Sequence, residues 1–368
     1  MGQYKRQHYV PRCYMKPFSL GGIGAAINLF NITSGQLIKN APVKGQCAKD
    51  YLYGDDLVVE KALQKLEGAY GVILKKIQSG DDQLSSSDLS FLRNFSYLQY
   101  SRTDMAIRRN RLAMEKLENA IFEGNEHQRP ISDLSDRTLM REAMIQFQET
   151  VKYISDLKVC LVRNRASSPF ITSDDPAIST NRFYAQRVGS RFGGVGLGNA
   201  GAMIFMPLTP EYLVVSYDGG VYTVPGKIGC VIETHRLLDV AAVNELQHLK
   251  AAENLYFHDW RNADKIKTAF EAVQPRRPET WCEVNVAVLD RTEGDWKRYR
   301  VADTMEERLA AKESIVHLSS KYPKPNKWFS KIRIRSRPRF IDTESGAGLE
   351  RPSNPIRSHE SPDDLQFR

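Results

Sequence analysis

Three short stretches of this 368-residue chain carry residue types suited to chemistry. The first, "RQHYVPRCYMKPFS" at residues 6–19, sets His8 four residues from Arg12, with Pro11 stiffening the segment between them. A neutral histidine can act as general base or metal ligand, and arginine grips phosphate or carboxylate through a planar fork of donors. The second is helical: Gln99, Arg102 and Thr103 stand at i, i+3 and i+4, one face beside apolar Phe95, Leu98 and Met105. Such a face can project into a cleft and meet an anionic group. The third, "FITSDDPAI", is an apolar strand stopped by Pro176, which puts Asp174 and Asp175 on the turn after it. Loops held by a rigid strand often carry function, and Asp174 there can bind a divalent cation or orient His8.

Two function classes follow. One is a metal-assisted phosphodiesterase or nuclease acting on nucleic acid or nucleotides. In it His8 is ligand or base, Asp174 with Asp175 holds a cation such as Mg²⁺, and Arg12, Gln99 and Arg102 meet the substrate. The other is a non-catalytic protein that recognises a small anion or a partner through the same cleft. The discriminator is charge: two or more acids converging on His8 favour a cation, whereas arginines alone favour binding. Each stretch also has a structural reading. His8 and Arg12 can bond backbone carbonyls, Arg102 can sit in a buried ion pair, and Asp174 can do no more than tie down a turn.

The elements that must position these residues read as follows. "AAINLFNITSGQLIKN" is a β-hairpin around Ser34-Gly35. Val59, Leu63, Leu66, Ala69, Ile73 and Ile77 recur at threes and fours and predict a helix over 57–77. "SSSDLS" supplies an N-cap for a long helix running without Pro or Gly to Gly124, and a third helix is predicted over 132–157. From Val159 the pattern turns to short strands, "KVCLVRN", "AMIFMPL", "EYLVVSYDGGVYTVPG" and "WCEVNVAVLD", interrupted by a helix over 238–257. The expected fold is α+β: one domain over 1–320, with a helical layer (57–157) packed on a mostly antiparallel sheet (25–38 and 159–290). The N-terminal segment is expected in the groove between the layers, where His8 and Arg12 meet Gln99, Arg102 and Asp174. Residues 321–368, rich in Pro, Ser and charge, read as a disordered basic tail.

In order along the chain, "KRQHYVPRCYMKPF", "CAKDYLYG", "VEKALQKLEGAYGVILKKI", "QYSRT", "FITSDDPAI" and "MIFMPLTPEYLVVS" resemble the DUF4238 family over residues 4–260. The family is uncharacterised, so the resemblance implies no activity. Asp175 stands where members often carry Asn and adds a charge; Cys13 and Met15 stand where Phe or Tyr and Leu are common.

Composition removes other classes. The net charge of +8 is concentrated at the end, where the last 48 residues hold 11 Lys and Arg against 6 Asp and Glu. There "KWFSKIRIRSRPRF" interleaves cations with aromatic and aliphatic residues, a pattern suited to a nucleic-acid backbone or an anionic membrane surface. The five cysteines have no CxxC spacing, and reduced thiols are expected. Cys13, near His8, reads as a packed thiol. No apolar run reaches the roughly 18 residues of a membrane helix and none opens the chain, so a cytoplasmic protein is expected. Gly196-x-Gly198-x-x-Gly201 is followed by a strand rather than a helix, so it fails as a dinucleotide fingerprint and reads as a loop. No HExxH, GxSxG or Walker pattern is present.

Overall fold

The computed structural model describes residues 5–80, 84–123, 127, 132–188, 196–294, 296–342 and 348–353. Its α-helices are α1 (Arg12–Met15), α2 (Val58–Gln78), α3 (Ser86–Ser101), α4 (Asp104–Phe122), α5 (Asp136–Thr150), α6 (Leu237–Lys250), α7 (Ala263–Val273) and α8 (Met305–Ala310). Helices and mainly antiparallel sheets make an α+β fold, as the sequence predicts. A four-stranded antiparallel sheet is ordered Gln36–Pro42, Ala26–Asn31, Asn254–Phe257, Thr172–Ser173. A five-stranded sheet is ordered Val231–Thr234, Lys158–Asn164, Tyr212–Tyr217, Met203–Pro207, Ile178–Thr180, with only its first pair parallel. A three-stranded meander, Trp296–Val301, Cys282–Glu293 and Ser314–Ser320, forms a separate sheet.

The N-terminal segment is built into the core. Residues Arg6–His8 pair antiparallel with Ala48–Asp50, and Tyr14, Met15 and Phe18 are fully buried. The Tyr14 hydroxyl donates to the Pro207 carbonyl (2.6 Å) and bonds the Thr172 hydroxyl (2.7 Å), joining α1 to both large sheets. Its ring meets Tyr70 of α2, which stacks on Phe95 of α3 at 4.3 Å between centroids. The crowded opening run is therefore a wedge of aromatic side chains, whose burial contributes far more than a fraying terminus could.

Three expectations are corrected. The long helix is broken at Arg102: Ser85 starts α3 with a capping box to Asp88, and Thr103 caps a second helix by accepting the Ala106 N–H. A hydroxyl that satisfies an orphan N–H ends one helix and begins another without Gly or Pro. The helix expected over 238–257 stops at Lys250, because Asn254–Phe257 is the strand joining Ala26–Asn31 to Thr172–Ser173. The segment read as tail is folded where it is described. Phe329 and Ile332 enter the core, Arg333–Ile334 pairs with Tyr222–Thr223, and Arg351 is fully buried against Asp156. Two apolar anchors and one buried ion pair offset a composition that otherwise favours disorder. Residues 343–347 and 354–368 of that segment lie outside the described residues, whereas residues 196–201 of the glycine run are described. Gly201 itself turns the chain into the strand Met203–Pro207 at φ +78°, with the Asn181 and Phe183 side chains where a Cβ would go.

Candidate functional site

Where the opening strand, α1, α2 and the end of α3 converge, the charge of Arg102 acts on His8, and Gln99 is buried one turn before Arg102. Arg102 is fully buried and its Nη2 donates to Glu67 of α2 at 2.9 Å. Glu67 is about a quarter exposed (26%), so the pair runs from the interior to the surface. Arg102 Nε and Nη1 have no hydrogen-bond partner among the described residues, and neither do Gln99 Nε2 and Oε1. Gln99 is also fully buried, one turn from Phe95 and one from Arg102, so it faces α2 between the Tyr70 stack and Glu67. Buried polar groups are nearly always bonded, and a cluster of unbonded ones marks a place where the fold keeps donors and acceptors in reserve.

His8 closes the site on the strand side. Its Nε2 is covered from solvent with no hydrogen-bond partner among the described residues. Burial first, and the guanidinium of Arg12 next, push His8 down to about 4; Arg6 and Arg102 act in the same direction. The charges that face His8 are thus arginines. Arg12 is exposed at the rim, and the Tyr53 hydroxyl donates to the His8 carbonyl. Burial, followed by the charge of Glu67, pushes Cys13 up to about 12, leaving a packed thiol rather than a nucleophile.

The two aspartates are elsewhere and engaged. Asp174 accepts the backbone N–H groups of Ala252 (2.8 Å), Glu253 (2.7 Å) and Asn254 (3.0 Å), fixing the turn between α6 and its following strand. Its charge acts on Tyr9 and Cys47, whose side chains lie on the far side of the segment from His8. Asp175 is fully buried. It accepts from Thr103 Oγ1 and Arg109 Nη1, each at 2.8 Å, and lies 3.4 Å from Lys250 Nζ. The trio read from "QYSRT" is therefore split by the helix break: Arg102 goes to Glu67, Gln99 stays on α3 without a partner among the described residues, and Thr103 goes to Asp175. With their oxygens taken by N–H, hydroxyl and cationic donors, Asp174 and Asp175 do not fit a metal ion. No group of three or more His, Cys, Asp and Glu among the described residues is placed to hold one.

Sequence reasoning missed Glu67, Arg109 and Lys250. Glu67 has a signal, an acid that shares the inner face of an amphipathic helix with Leu63 and Tyr70; Arg109 lies in "IRRNR", whose charge suits a solvated face. Lys250 sits over the Tyr100 ring at 4.3 Å, and Arg109 at 4.7 Å, so one carboxylate and one ring share two cations. Burial pushes Lys250 down to about 7, with Asp175 pulling the other way.

These environments make an acid response. His8 at about 4 and His248 of α6, pushed down to about 3 by burial and Arg277, are neutral in the folded protein at neutral pH. In the unfolded chain both take a proton below their ordinary value of 6.5, so between pH 6.5 and about 4 stability falls as pH falls. Asp174 opposes this: burial pushes it up to about 7, so it holds a proton when folded in a window where the unfolded carboxyl is ionised. The urea midpoint is expected to drop between pH 6 and 4.5, and His248→Gln to remove up to about 1.4 kcal/mol per pH unit from the slope. An unchanged slope in that variant would mean that His248 takes its proton in the folded state.

A helical layer on mainly antiparallel sheets, with a buried N-terminal wedge between them, is the class of protein this geometry defines. The family is shown by comparison: residues 6–261 match the model of the DUF4238 family, described as proteins of unknown function, and the chain belongs to that family. No curated protein sequence and no solved structure matches it. No helix among the described residues is long and apolar enough to cross a membrane.

Proposed function

We propose that this protein binds a small anion, a phosphate or carboxylate group of a metabolite or peptide, at the His8–Gln99–Arg102 site, without chemical turnover. The observation that carries the reading is the charge and bonding pattern. Arginines and no carboxylate act on His8, while Arg102 and Gln99 hold buried donors with no partner. An incoming anion takes the place of Glu67 on Arg102, and the amide of Gln99 and the spare N–H groups of Arg102 complete its shell. Arg12 at the rim attracts it. His8 is a poor general base at neutral pH because its proton affinity is depressed, but its Nε2 can accept a hydrogen bond from a protonated ligand oxygen.

The test is calorimetric titration with inorganic phosphate, pyrophosphate and AMP. Glu67→Gln removes the competing carboxylate and is expected to tighten binding about tenfold; Arg102→Met abolishes it. Gln99→Leu is expected to lose binding while stabilising the free protein by roughly 1 kcal/mol, because no hydrogen bond is lost and a buried unbonded amide is removed. If Gln99→Leu destabilises and none of the probes binds, Gln99 is a structural residue and the proposal fails. The hydrolase reading makes a different prediction, hydrolysis of RNA, DNA or nucleotides with Mg²⁺ or Mn²⁺ that His8→Ala and Asp174→Ala abolish. Such activity would replace the binding reading.

A further inference from the structure

A second cavity, sharing no residue with the His8 site, opens between α6 and α7. Its volume is about 380 Å³, within the range of small-molecule sites and enough for roughly a dozen non-hydrogen atoms at about 30 Å³ each. The walls are short and apolar: Ala241 and Ala242 of α6 face Ile266, Ala269 and Val273 of α7. Small residues at facing positions keep two helices from interdigitating and leave the space between them open. At the mouth stand Lys265 and Lys327, both exposed and without an ion-pair partner among the described residues, whereas Arg276 is held by Glu245. Lys265, with Ser168, Pro169 and Asn262, also borders an adjoining polar cavity of about 510 Å³ lined by His258 and Glu211. On the inner wall lies His248, nine-tenths buried or more, whose Nε2 has no hydrogen-bond partner among the described residues. His248 is one of the residues that line the cleft.

We infer that this cleft binds a small amphiphilic carboxylate: its apolar body lies between the alanine faces, a hydroxyl at its inner end meets His248, and its carboxylate sits beside Lys265. Each part answers one feature of the cleft. An apolar body covers the accessible Ala241 and Ala269 over the buried Ile266 and Val273, the hydroxyl gives His248 the partner it lacks among the described residues, and the anion meets a cation that no described carboxylate pairs with.

Titration calorimetry on the full chain tests this with three probes: 3-(4-hydroxyphenyl)propionate, 3-phenylpropionate, which lacks the hydroxyl, and 4-propylphenol, which lacks the carboxylate. The first is expected to bind tightest, each deletion costing about tenfold. Lys265→Glu should weaken both carboxylates about tenfold and leave 4-propylphenol unchanged. His248→Met, close in volume, should erase the difference between the first two probes; should that variant not fold, their difference on the wild-type protein carries the point. Ala269→Trp, which fills the cleft, should abolish all three, with circular dichroism confirming the fold. Failure of every probe to bind below about 1 mM, or wild-type binding by Ala269→Trp, overturns the proposal. So does retention on phosphatidylglycerol vesicles that Ala269→Trp abolishes, because a lipid chain would then be the occupant.

Discussion

Truncating the chain after Pro325 is expected to cost more than about 5 kcal/mol, enough to leave much of the protein unfolded or aggregated at 37 °C. The removed segment begins as a strongly basic strip, yet Phe329 and Ile332 are 4% and 1% exposed and pack with Val162, Val215 and Tyr222 beneath the five-stranded sheet. Deleting a buried phenylalanine alone costs about 3–5 kcal/mol. Ser330 binds Asp239 twice, through its N–H (2.9 Å) and its hydroxyl (3.0 Å). Further along, Arg351 is fully buried, donates from Nε (2.8 Å) and Nη2 (3.0 Å) to Asp156, and also bonds the carbonyls of Tyr153, Leu197 and Asn199. Removing one partner of a buried ion pair costs about 3–5 kcal/mol, since Asp156 and these carbonyls lose their donor together. The check is urea unfolding of the truncated chain beside Arg351→Met; wild-type midpoints in both would mean that the segment is an appendage after all. Because the deletion perturbs folding, replacing the exposed Arg333, Arg337 and Arg339 together is the variant that asks whether this strip holds phosphates.

What was legible in the sequence was periodic. The 3.6-residue spacing of Leu63, Ile73 and Ile77 set α2 within a residue or two, and short apolar runs placed Ala26–Asn31, Lys158–Asn164, Met203–Pro207 and Tyr212–Tyr217, but not Ile178–Thr180 or Val231–Thr234. What was not legible depended on partners distant in sequence. Asn254–Phe257 follows a helix with no proline between them, and only pairing with Ala26–Asn31 and Thr172–Ser173 makes it a strand. Thr103 carried its capping signal in plain view, but an unbroken run of helix formers outweighed it. The candidate site divided in the same way. His8, Gln99 and Arg102 were chosen for their chemistry, and Gln99 and Arg102 are fully buried at the end of α3, while Asp174 and Asp175 were chosen for exposure on a turn that is in fact buried. Adjacent side chains in extended backbone point apart, so two neighbouring carboxylates went to two different tasks.

Asp175→Asn is expected to lower stability by about 3 kcal/mol, although the side chains are nearly the same size. In the wild-type protein the carboxylate is fully buried and holds Arg109 at 2.8 Å, with Lys250 at 3.4 Å and Thr103 donating at 2.8 Å. The amide can still accept from Thr103 but supplies no charge, leaving two cations stacked over Tyr100 with nothing to neutralise them. Lys250 can escape by losing its proton, which burial already favours by pushing it down to about 7. Arg109 cannot, and its side chain is only 15% exposed. The pH dependence follows from Lys250. Its folded value lies below the unfolded 10.5, so between about 7 and 10.5 the unfolded chain holds the proton and stability rises with pH. Loss of Asp175 should lower the folded value further and carry that rise below pH 7. Lys250→Met in the Asp175→Asn background removes one of the two stranded cations and is expected to recover more than about 1 kcal/mol. Urea unfolding of the four proteins at pH 6.5 and 9 decides the matter. A loss under about 1 kcal/mol for Asp175→Asn, or no recovery in the double variant, would show that Asp175 is not the counter-ion that holds α4 to the end of α6.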